Sequence, residues 1–217
     1  MRPLALVTGA ADGVGLELAR QFATNGFDLI ITDQGSDLER ARDILMDLGA
    51  EVFPVSADLS KFSGADSLYQ EIKSHNRPLE ALAINIATGR GGPFWESELK
   101  KDLELIRMNI MASVHLTRLI LPDMIEQASG RILFTSPVST DVVHTASMAC
   151  LTSFAESLRK EIKETGVVVT ALLPGQSDMK KMARLGFLTL MRGKNPFKTK
   201  ITEWARNYVH RAEDRVS

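Results

Sequence analysis

Six short runs of apolar residues recur along the chain and predict β-strands. The runs are rich in Val, Ile and Leu, and each is short enough for a single strand buried on both faces. They cover residues 4–8, 28–32, 51–56, 79–84, 131–135 and 167–173. We therefore expect a sheet inside the protein, with other elements covering both of its faces.

The segments between these runs carry apolar residues at helical spacing. Examples are Val14, Leu18 and Phe22 after the first run, and Phe154 and Leu158 before the last. Strands that alternate with helices through right-handed crossovers form a parallel sheet with helices on both faces. The pattern predicts an α/β fold, a doubly wound parallel sheet of about six strands, in a single domain over residues 1–217. Residues 180–217 are expected to form a divergent, shortened C-terminal helical segment.

Helix boundaries are marked by capping residues. Ser36 followed by Glu39, and Ser63 followed by Asp66, predict two helix starts. Gly26 stands where the first helix would end.

Composition narrows the choice of partners. The chain has 217 residues, a formal net charge of −1 and a pI near 6.4, so its total charge favours neither nucleic acid nor an anionic membrane. The single cysteine, Cys150, cannot form an internal disulfide. No apolar window approaches the roughly 18 residues of a membrane-spanning helix, and the N-terminal apolar run is too short for a signal peptide. We expect a cytoplasmic protein without a metal site.

A glycine-rich turn follows the first predicted strand in TGAADGVGLELAR, which begins at Thr8. Gly9 permits a sharp turn, Gly13 lets backbone approach a pyrophosphate, and Gly15 lets helix and strand pack closely. Asp33 closes the second predicted strand, where a carboxylate accepts hydrogen bonds from an adenosine ribose. The combination predicts a Rossmann-like dinucleotide site at the carboxyl ends of the strands.

These residues resemble the short-chain dehydrogenase/reductase family, whose fingerprint is TGxxxGxG, and the resemblance covers roughly residues 3–175. Asp58 matches the family's adenine-contacting aspartate, Asn85 and Ala87 match two places of its NNAG motif, and Asn109 matches the asparagine of its central helix. Pro174 and Gly175 match its turn after the sixth strand. The cofactor-binding residues that the resemblance implies are Thr8, Gly9, Asp12, Gly13, Val14, Gly15, Asp33, Asp58, Leu59, Asn85, Ala87, Pro174 and Gly175.

The resemblance also implies which nucleotide is bound. A carboxylate at the position of Asp33 favours NAD, because it would repel the extra phosphate of NADP. Asp12 lies in the glycine loop where NADP-dependent members often carry a basic side chain, and it points the same way. The alternative for Asp12 is a solvated turn residue.

The family's reaction centre is altered in this chain. The family has a serine after the fifth strand and then YxxxK at the start of the next helix. Alignment puts Pro137 in the serine place, His144 in the tyrosine place and Met148 in the lysine place. A shift of one residue would give Ser136 the serine role, but no shift restores the tyrosine and lysine. Met179 also stands where the family commonly has a threonine for the nicotinamide amide.

Three hypotheses follow from this altered centre. In the first, the protein binds NAD(H) but lacks ordinary dehydrogenase activity. In the second, it is an enzyme in which His144 transfers a proton beside Ser136 and Asn109 on a small-molecule substrate. The alternatives are a helix cap or core residue for His144, a turn residue for Ser136, and a buried backbone-bonding amide for Asn109.

The third hypothesis is a binding module that acts through residues 180–200. This segment holds seven Lys or Arg residues and no acid, interspersed with apolar residues, as at an anionic membrane surface or acidic partner. The alternative, which we favour, is a helix that packs its apolar side on the core. By resemblance we expect a homodimer or homotetramer that assembles through helices at about 98–126 and 145–163.

Overall fold

The sheet has six parallel strands, each formed by one of the apolar runs. The computed structural model describes residues 1–35, 37–85, 92–135, 139, 141–172 and 178–193. The strand order is β3-β2-β1-β4-β5-β6, so the chain order reverses between β1 and β4. The strands are β1 (Leu4–Thr8), β2 (Asp28–Asp33), β3 (Val52–Ser56), β4 (Leu79–Asn85), β5 (Gly130–Thr135) and β6 (Val167–Leu172).

Helices connect the strands and cover both faces of the sheet. A short 3₁₀ helix (Phe94–Glu96) follows β4, and a π-helical turn (Arg107–Met111) joins α4 to α5. The α-helices of the described residues are α1 (Gly13–Thr24), α2 (Leu38–Met46), α3 (Phe62–Ser74), α4 (Leu99–Ile106), α5 (Ala112–Glu126), α6 (Val142–Glu161) and α7 (Met179–Arg192).

Two hydrophobic cores lie on opposite faces of the sheet. One contains Leu6 and Leu82 of the sheet with Leu116 of α5, and the other contains Val7 with Phe22 of α1 and Phe187 of α7. Successive strand residues point to opposite faces, which is why Leu6 and Val7 belong to different cores. Burial on both faces explains why the strands are nearly continuous apolar runs.

Helix α7 belongs to the second core, which bears on the binding-module hypothesis. The rings of Phe187 and Phe22 meet edge to face with centroids 5.1 Å apart, and Leu190 is fully buried. A Cβ on Gly186 would lie 3.3 Å from side chains of β5 and β6. The favoured alternative, a helix packed on the core, is therefore confirmed for the described part of residues 180–200. Residues 194–217 lie outside the described residues.

The predicted fold class and all six strands are confirmed, but both predicted helix starts are wrong. Helix α3 begins at Phe62 with Lys61 at its N-cap, so Ser63 lies inside the helix. Helix α2 begins at Leu38 with Asp37 at its N-cap, one residue after Ser36, which itself lies outside the described residues. The first helix ends before Gly26, as predicted, and that glycine has φ of +87°. Among the described helices, none is long and apolar enough to cross a membrane.

Candidate functional site

The glycine-rich turn joins β1 to α1 in a conformation that needs glycine. Gly9 and Gly13 have φ of +61° and +54°, a region that strains other residues. A Cβ on Gly15 would lie 1.8 Å from the carbonyl oxygen of Gly9, so the turn packs directly on the first turn of α1. Among the described residues, a Cβ on Gly13 would meet only Sδ of Met179, at 4.0 Å. The described part of the chain therefore leaves open space beside the Gly13 backbone at the N-terminus of α1, where an anion is favoured.

Asp33 ties the end of β2 to the glycine loop. Its Oδ2 accepts a hydrogen bond from the Ala11 N–H at 3.2 Å, and its Oδ1 accepts one from the Gln34 N–H at 2.7 Å. A carboxylate has about four lone-pair positions, so two remain for ligand hydroxyl groups. Asp12 is exposed at the start of α1, and its side chain makes no capping hydrogen bond.

A cavity of about 380 Å³ lies at the carboxyl ends of β1, β2 and β4, and we call it the carboxyl-end cavity. It lies where the strand order reverses, the usual ligand position in doubly wound sheets. The lining includes residues that the sequence predicted for cofactor binding and further residues from β2, β4, the π-helical turn and α5. The lining consists of Thr8, Gly9, Asp12, Thr32, Asp33, Gln34, Ala57, Leu59, Ile84, Asn85, Met108, Ala112 and Leu116.

Two polar atoms at this cavity are buried without a hydrogen-bond partner among the described residues. They are Oγ1 of Thr32 and Oδ1 of Asn85. The hydroxyl group of Thr8, in contrast, has a partner, because its oxygen accepts a hydrogen bond from the Asn85 N–H at 3.1 Å. Buried polar groups ordinarily have partners, so unsatisfied ones beside a cavity suit a polar ligand.

Asp58 lies in the turn after β3 and is held as a carboxylate. Its Oδ1 accepts hydrogen bonds from the Ser60 hydroxyl at 2.6 Å and from the Ser60 N–H at 3.1 Å, and Lys61 Nζ lies 2.9 Å from Oδ2. The Ser60 hydroxyl is the largest cause of a lowered pKa for Asp58, and Lys61 lowers this pKa further. The carboxylate therefore stays an acceptor at neutral pH.

Gly64 positions the Asp58 turn and was missed from the sequence. A Cβ on Gly64 would lie 2.1 Å from the carbonyl oxygen of Asp58, so the first turn of α3 packs on the Asp58 backbone. A glycine within a helix is a weak signal by itself, but its position six residues after Asp58 could have drawn attention to it.

Asn109 lies in the π-helical turn and is fully buried. Its carbonyl oxygen accepts a hydrogen bond from the Ser113 hydroxyl. Local π-helical turns inside longer helices are frequent at functional sites. Met108, one residue earlier, lines the carboxyl-end cavity, so the turn brings α5 and the cavity together.

His144 and Met148 both lie inside the protein. His144 is 2% exposed and Met148 is 5% exposed, and Met148 packs in the first core. The N-cap of α6 is Asp141, whose Oδ1 accepts a hydrogen bond from the His144 N–H at 2.8 Å. His144 is therefore a buried residue of the first turn of α6 and is not the N-cap of that helix.

Four predicted site residues cannot be placed. Ala87, Ser136, Pro174 and Gly175, together with Pro137, lie outside the described residues. Val14 is buried at the start of α1, beneath the glycine turn. The described residues therefore include more of the predicted adenosine half of the site than of the predicted nicotinamide half.

A tyrosine and a lysine with YxxxK spacing do occur, but at the opposite end of the sheet. Tyr69 and Lys73 of α3 both contact Oδ2 of Asp123, at 3.0 and 3.1 Å, beside a second cavity of about 290 Å³. That cavity reaches Leu79, the first residue of β4, whereas Asn85 at the last residue lines the other cavity. The seven residues of β4 span about 20 Å between these two ends.

The electrostatics of this pair also differ from those of a catalytic tyrosine. Burial is the largest cause of a raised pKa for Tyr69, and the Asp123 carboxylate raises it further. A tyrosine that exchanges a proton at neutral pH needs a lowered pKa. The pair is therefore a structural link between α3 and α5.

Comparisons with known proteins agree with this geometry. The chain is 32% identical over 179 residues to the oxidoreductase UcpA of Salmonella typhimurium, which covers 79% of this chain and 68% of UcpA. It is 29% identical over 191 residues to the uncharacterized oxidoreductase YmfI of Bacillus subtilis, covering 84% and 78% of the two chains.

Solved structures show the same fold. An alcohol dehydrogenase from Comamonas testosteroni has a TM-score of 0.81 at 19% identity and covers 99% of this chain and 93% of its own. A metagenomic short-chain oxidoreductase in complex with NADP has a TM-score of 0.78 at 24% identity, with 87% and 90% covered. The family model described as short chain dehydrogenase matches residues 3–185. The chain therefore belongs to the short-chain dehydrogenase/reductase family.

Proposed function

We propose that this protein binds NAD(H) in the carboxyl-end cavity and lacks the ordinary dehydrogenase chemistry of its family. One contrast carries the proposal. The cavity keeps a glycine turn, an accessible carboxylate and unsatisfied polar atoms, whereas the described residues aligned with the family's tyrosine and lysine are a buried histidine and a buried methionine.

The described residues fit a dinucleotide. The backbone N–H groups at the start of α1 would bind the pyrophosphate beside Gly13, and the free lone pairs of Asp33 would accept hydrogen bonds from the adenosine ribose. Asp58 would accept a hydrogen bond from the adenine amine, as the family resemblance implies. When bound, the nicotinamide group supplies or accepts a hydride.

Two carboxylates support NAD over NADP. Asp33 is fixed at the cavity by two backbone hydrogen bonds, and a phosphate on the adenosine ribose would meet its negative charge. Asp12 adds a second negative charge at the same cavity. The neighbour solved with NADP shares 24% of its residues with this chain, too few to decide the nucleotide here.

The described residues at the reaction position offer little for proton transfer. Hydride transfer to a carbonyl creates an alkoxide that needs a proton, and a tyrosine supplies it when a nearby cation lowers its pKa. Met148 carries no charge and is packed in the core. We therefore propose a sensor or a subunit that responds to NAD(H), assembled as a homodimer or homotetramer.

A second candidate is an enzyme in which His144 transfers the proton to a small-molecule substrate. It is favoured by one observation, the hydrogen bond from the His144 N–H to Asp141, which fixes the histidine in the first turn of α6. Its burial argues against it, because an acid must reach the substrate within hydrogen-bonding distance.

The experiment that tests the proposal measures binding and turnover on the same sample. NADH binding is followed by fluorescence, and a broad panel of alcohols, ketones and aldehydes is assayed with NAD(H). We expect binding with little turnover. Absence of binding contradicts the proposal, and so does turnover near the value of about 10 per second that is common among enzymes.

A further inference from the structure

Helix α7 has a cationic side facing solvent. Its exposed cations are Lys180, Lys181 and Arg184 in the first two turns and Arg192 at the other end. None of them forms an ion pair within the part of the chain that the structure describes. Asp178 at the N-cap is the only acid next to these cations in the described segment 178–193. The opposite side of the helix packs on the second core, so the cations extend from an anchored element.

The start of α7 lies against the glycine turn. Sδ of Met179, the first residue of α7, lies 4.0 Å from the position that a Cβ on Gly13 would take. The two lysines directly follow Met179, and the arginine is about one turn further along the helix. The cationic side of α7 therefore begins beside the carboxyl-end cavity, whose lining includes other residues of the same glycine turn.

The carboxyl-end cavity itself is negatively charged. Its described lining contains the carboxylates of Asp12 and Asp33 and no lysine, arginine or histidine. Lys61, in an adjoining turn, is already paired with Asp58. The pyrophosphate group of a dinucleotide is also negative, so the two carboxylates of the lining oppose its approach. The whole chain has a net charge of −1 and supplies no general attraction, so an attraction must come from a local group of cations.

We propose that Lys180, Lys181 and Arg184, which we call the entry cations, attract the nucleotide to the carboxyl-end cavity and set its rate of association. This inference rests on the proposed function, because it takes the nucleotide as the ligand. A charge at the rim of a site acts mainly on the association rate and on the salt dependence of that rate. The entry cations therefore act before contact, and the residues that line the cavity hold the bound nucleotide.

Stopped-flow fluorescence with NADH measures the association and dissociation rates separately. The test variant of the full chain replaces all three entry cations, with Lys180→Gln, Lys181→Gln and Arg184→Gln. The rates are compared at an ionic strength of about 0.1 M, where charges act over about 10 Å, and at about 1 M, where they act over about 3 Å. A steering effect is present in the first condition and screened in the second.

Two further variants serve as controls. Arg192→Gln removes an exposed cation of the same helix that lies about 20 Å from Met179 along the axis. The double variant Lys180→Arg with Lys181→Arg keeps the charge and changes the side chains. Arg107, another exposed cation, stays unchanged in every protein, so the contribution of α7 is measured alone.

We expect the triple variant to associate with NADH roughly three- to tenfold more slowly at about 0.1 M, with the dissociation rate unaltered, and to match the unchanged protein at about 1 M. Both control variants should match the unchanged protein in both conditions. An unaltered association rate in the triple variant overturns the steering and leaves the proposed function standing. A change confined to dissociation, or an equal loss in Arg192→Gln, also overturns it. If none of these proteins binds NADH, the proposed function fails and the steering fails with it.

Discussion

The buried carboxylate of Asp28, at the amino end of the sheet, is paired with a cation, whereas a buried polar atom at the carboxyl end has no partner among the described residues. Arg77 donates to Asp28 at 2.6 Å and to the Arg2 carbonyl oxygen at 2.8 Å, and the Glu51 N–H donates to Asp28 at 3.1 Å. At the carboxyl end, Asn85 Oδ1 has no hydrogen-bond partner among the described residues.

The two ends also differ in what surrounds their charges. Near the amino end, the Asp123 carboxylate contacts the side chains of Tyr69 and Lys73, whereas Asp33 at the other end lines a cavity and accepts hydrogen bonds from two backbone N–H groups. One end of the sheet is arranged for stability and the other for a ligand. Five predictions test this contrast.

The largest expected effect concerns catalysis at the carboxyl end. If any turnover is detected, His144→Ala should reduce it by roughly 10² to 10⁴, the usual contribution of a general acid or base, with nucleotide affinity unchanged. His144→Gln, which keeps a polar side chain of similar size, checks that the loss is not a packing defect. Full activity in His144→Ala would exclude the histidine from catalysis.

Arg77→Leu should cost about 3 kcal/mol of the free energy of unfolding, because it leaves the Asp28 carboxylate buried without its main cation. Denaturant unfolding measures the loss. Arg42→Leu is the control, since Arg42 is only partly buried and its pairs with the exposed Glu39 and Asp43 contribute much less. Nucleotide affinity should stay unchanged in both variants. Weaker nucleotide binding by Arg77→Leu would contradict the separation of roles between the two ends of the sheet.

Gly13→Ala should weaken NADH binding at least tenfold, because the new methyl group enters the open space beside the start of α1. The backbone strain at φ of +54° costs about 1 kcal/mol of stability. Gly26→Ala carries a similar strain at φ of +87°, away from the cavity. Fluorescence titration should therefore show a loss in Gly13→Ala alone, and equal losses would remove the glycine turn from the site.

Asp33→Asn should reduce the preference for NAD over NADP about tenfold, because it removes the charge that repels the additional phosphate while keeping the shape of the side chain. Calorimetry with both nucleotides measures the ratio. Asp37→Asn is the matched control, an exposed acid beyond the same strand. A ratio that is the same in all three proteins would remove Asp33 from nucleotide selection.

The smallest effect is a shift in the titration of Asp58. Ser60→Ala removes the hydroxyl that contributes most to its lowered pKa, so this pKa should rise toward the ordinary value. A carboxyl group whose pKa is lower in the folded state than in the unfolded state stabilises the fold at pH values above the unfolded-state pKa. This contribution is lost as the pH falls through the folded-state pKa. The stability difference between the two proteins should therefore shrink in acid. NMR titration of the carboxyl carbon checks the shift, and an unchanged pKa contradicts it.

The strands and the glycine turn could be predicted because their causes are local. A strand buried on both faces is an apolar run, and Asp33 was placed at the sheet's carboxyl end because it closes such a run. The predicted start of α3 was wrong: the helix begins at Phe62, and Gly64 in its first turn packs against the backbone of Asp58. That contact follows from close packing and not from capping residues.

Long-range contacts could not be predicted in the same way. Gln34 and Met108 are separated by 74 residues, and no periodicity links them. The role of His144 also stayed open, because a histidine at a helix start is more often a cap or a core residue but can also be a reaction centre. Its burial and the Asp141 cap became visible only in the folded chain.

The most direct test of the account is calorimetric titration of the unchanged protein with NAD, NADH, NADP and NADPH. We predict saturable binding of NAD and NADH at one site per chain, with weaker binding of the two phosphorylated nucleotides because of Asp33 and Asp12. Equal or tighter binding of NADP(H) would contradict the assignment of NAD. Absence of binding by all four would contradict the account of the carboxyl end as a ligand site.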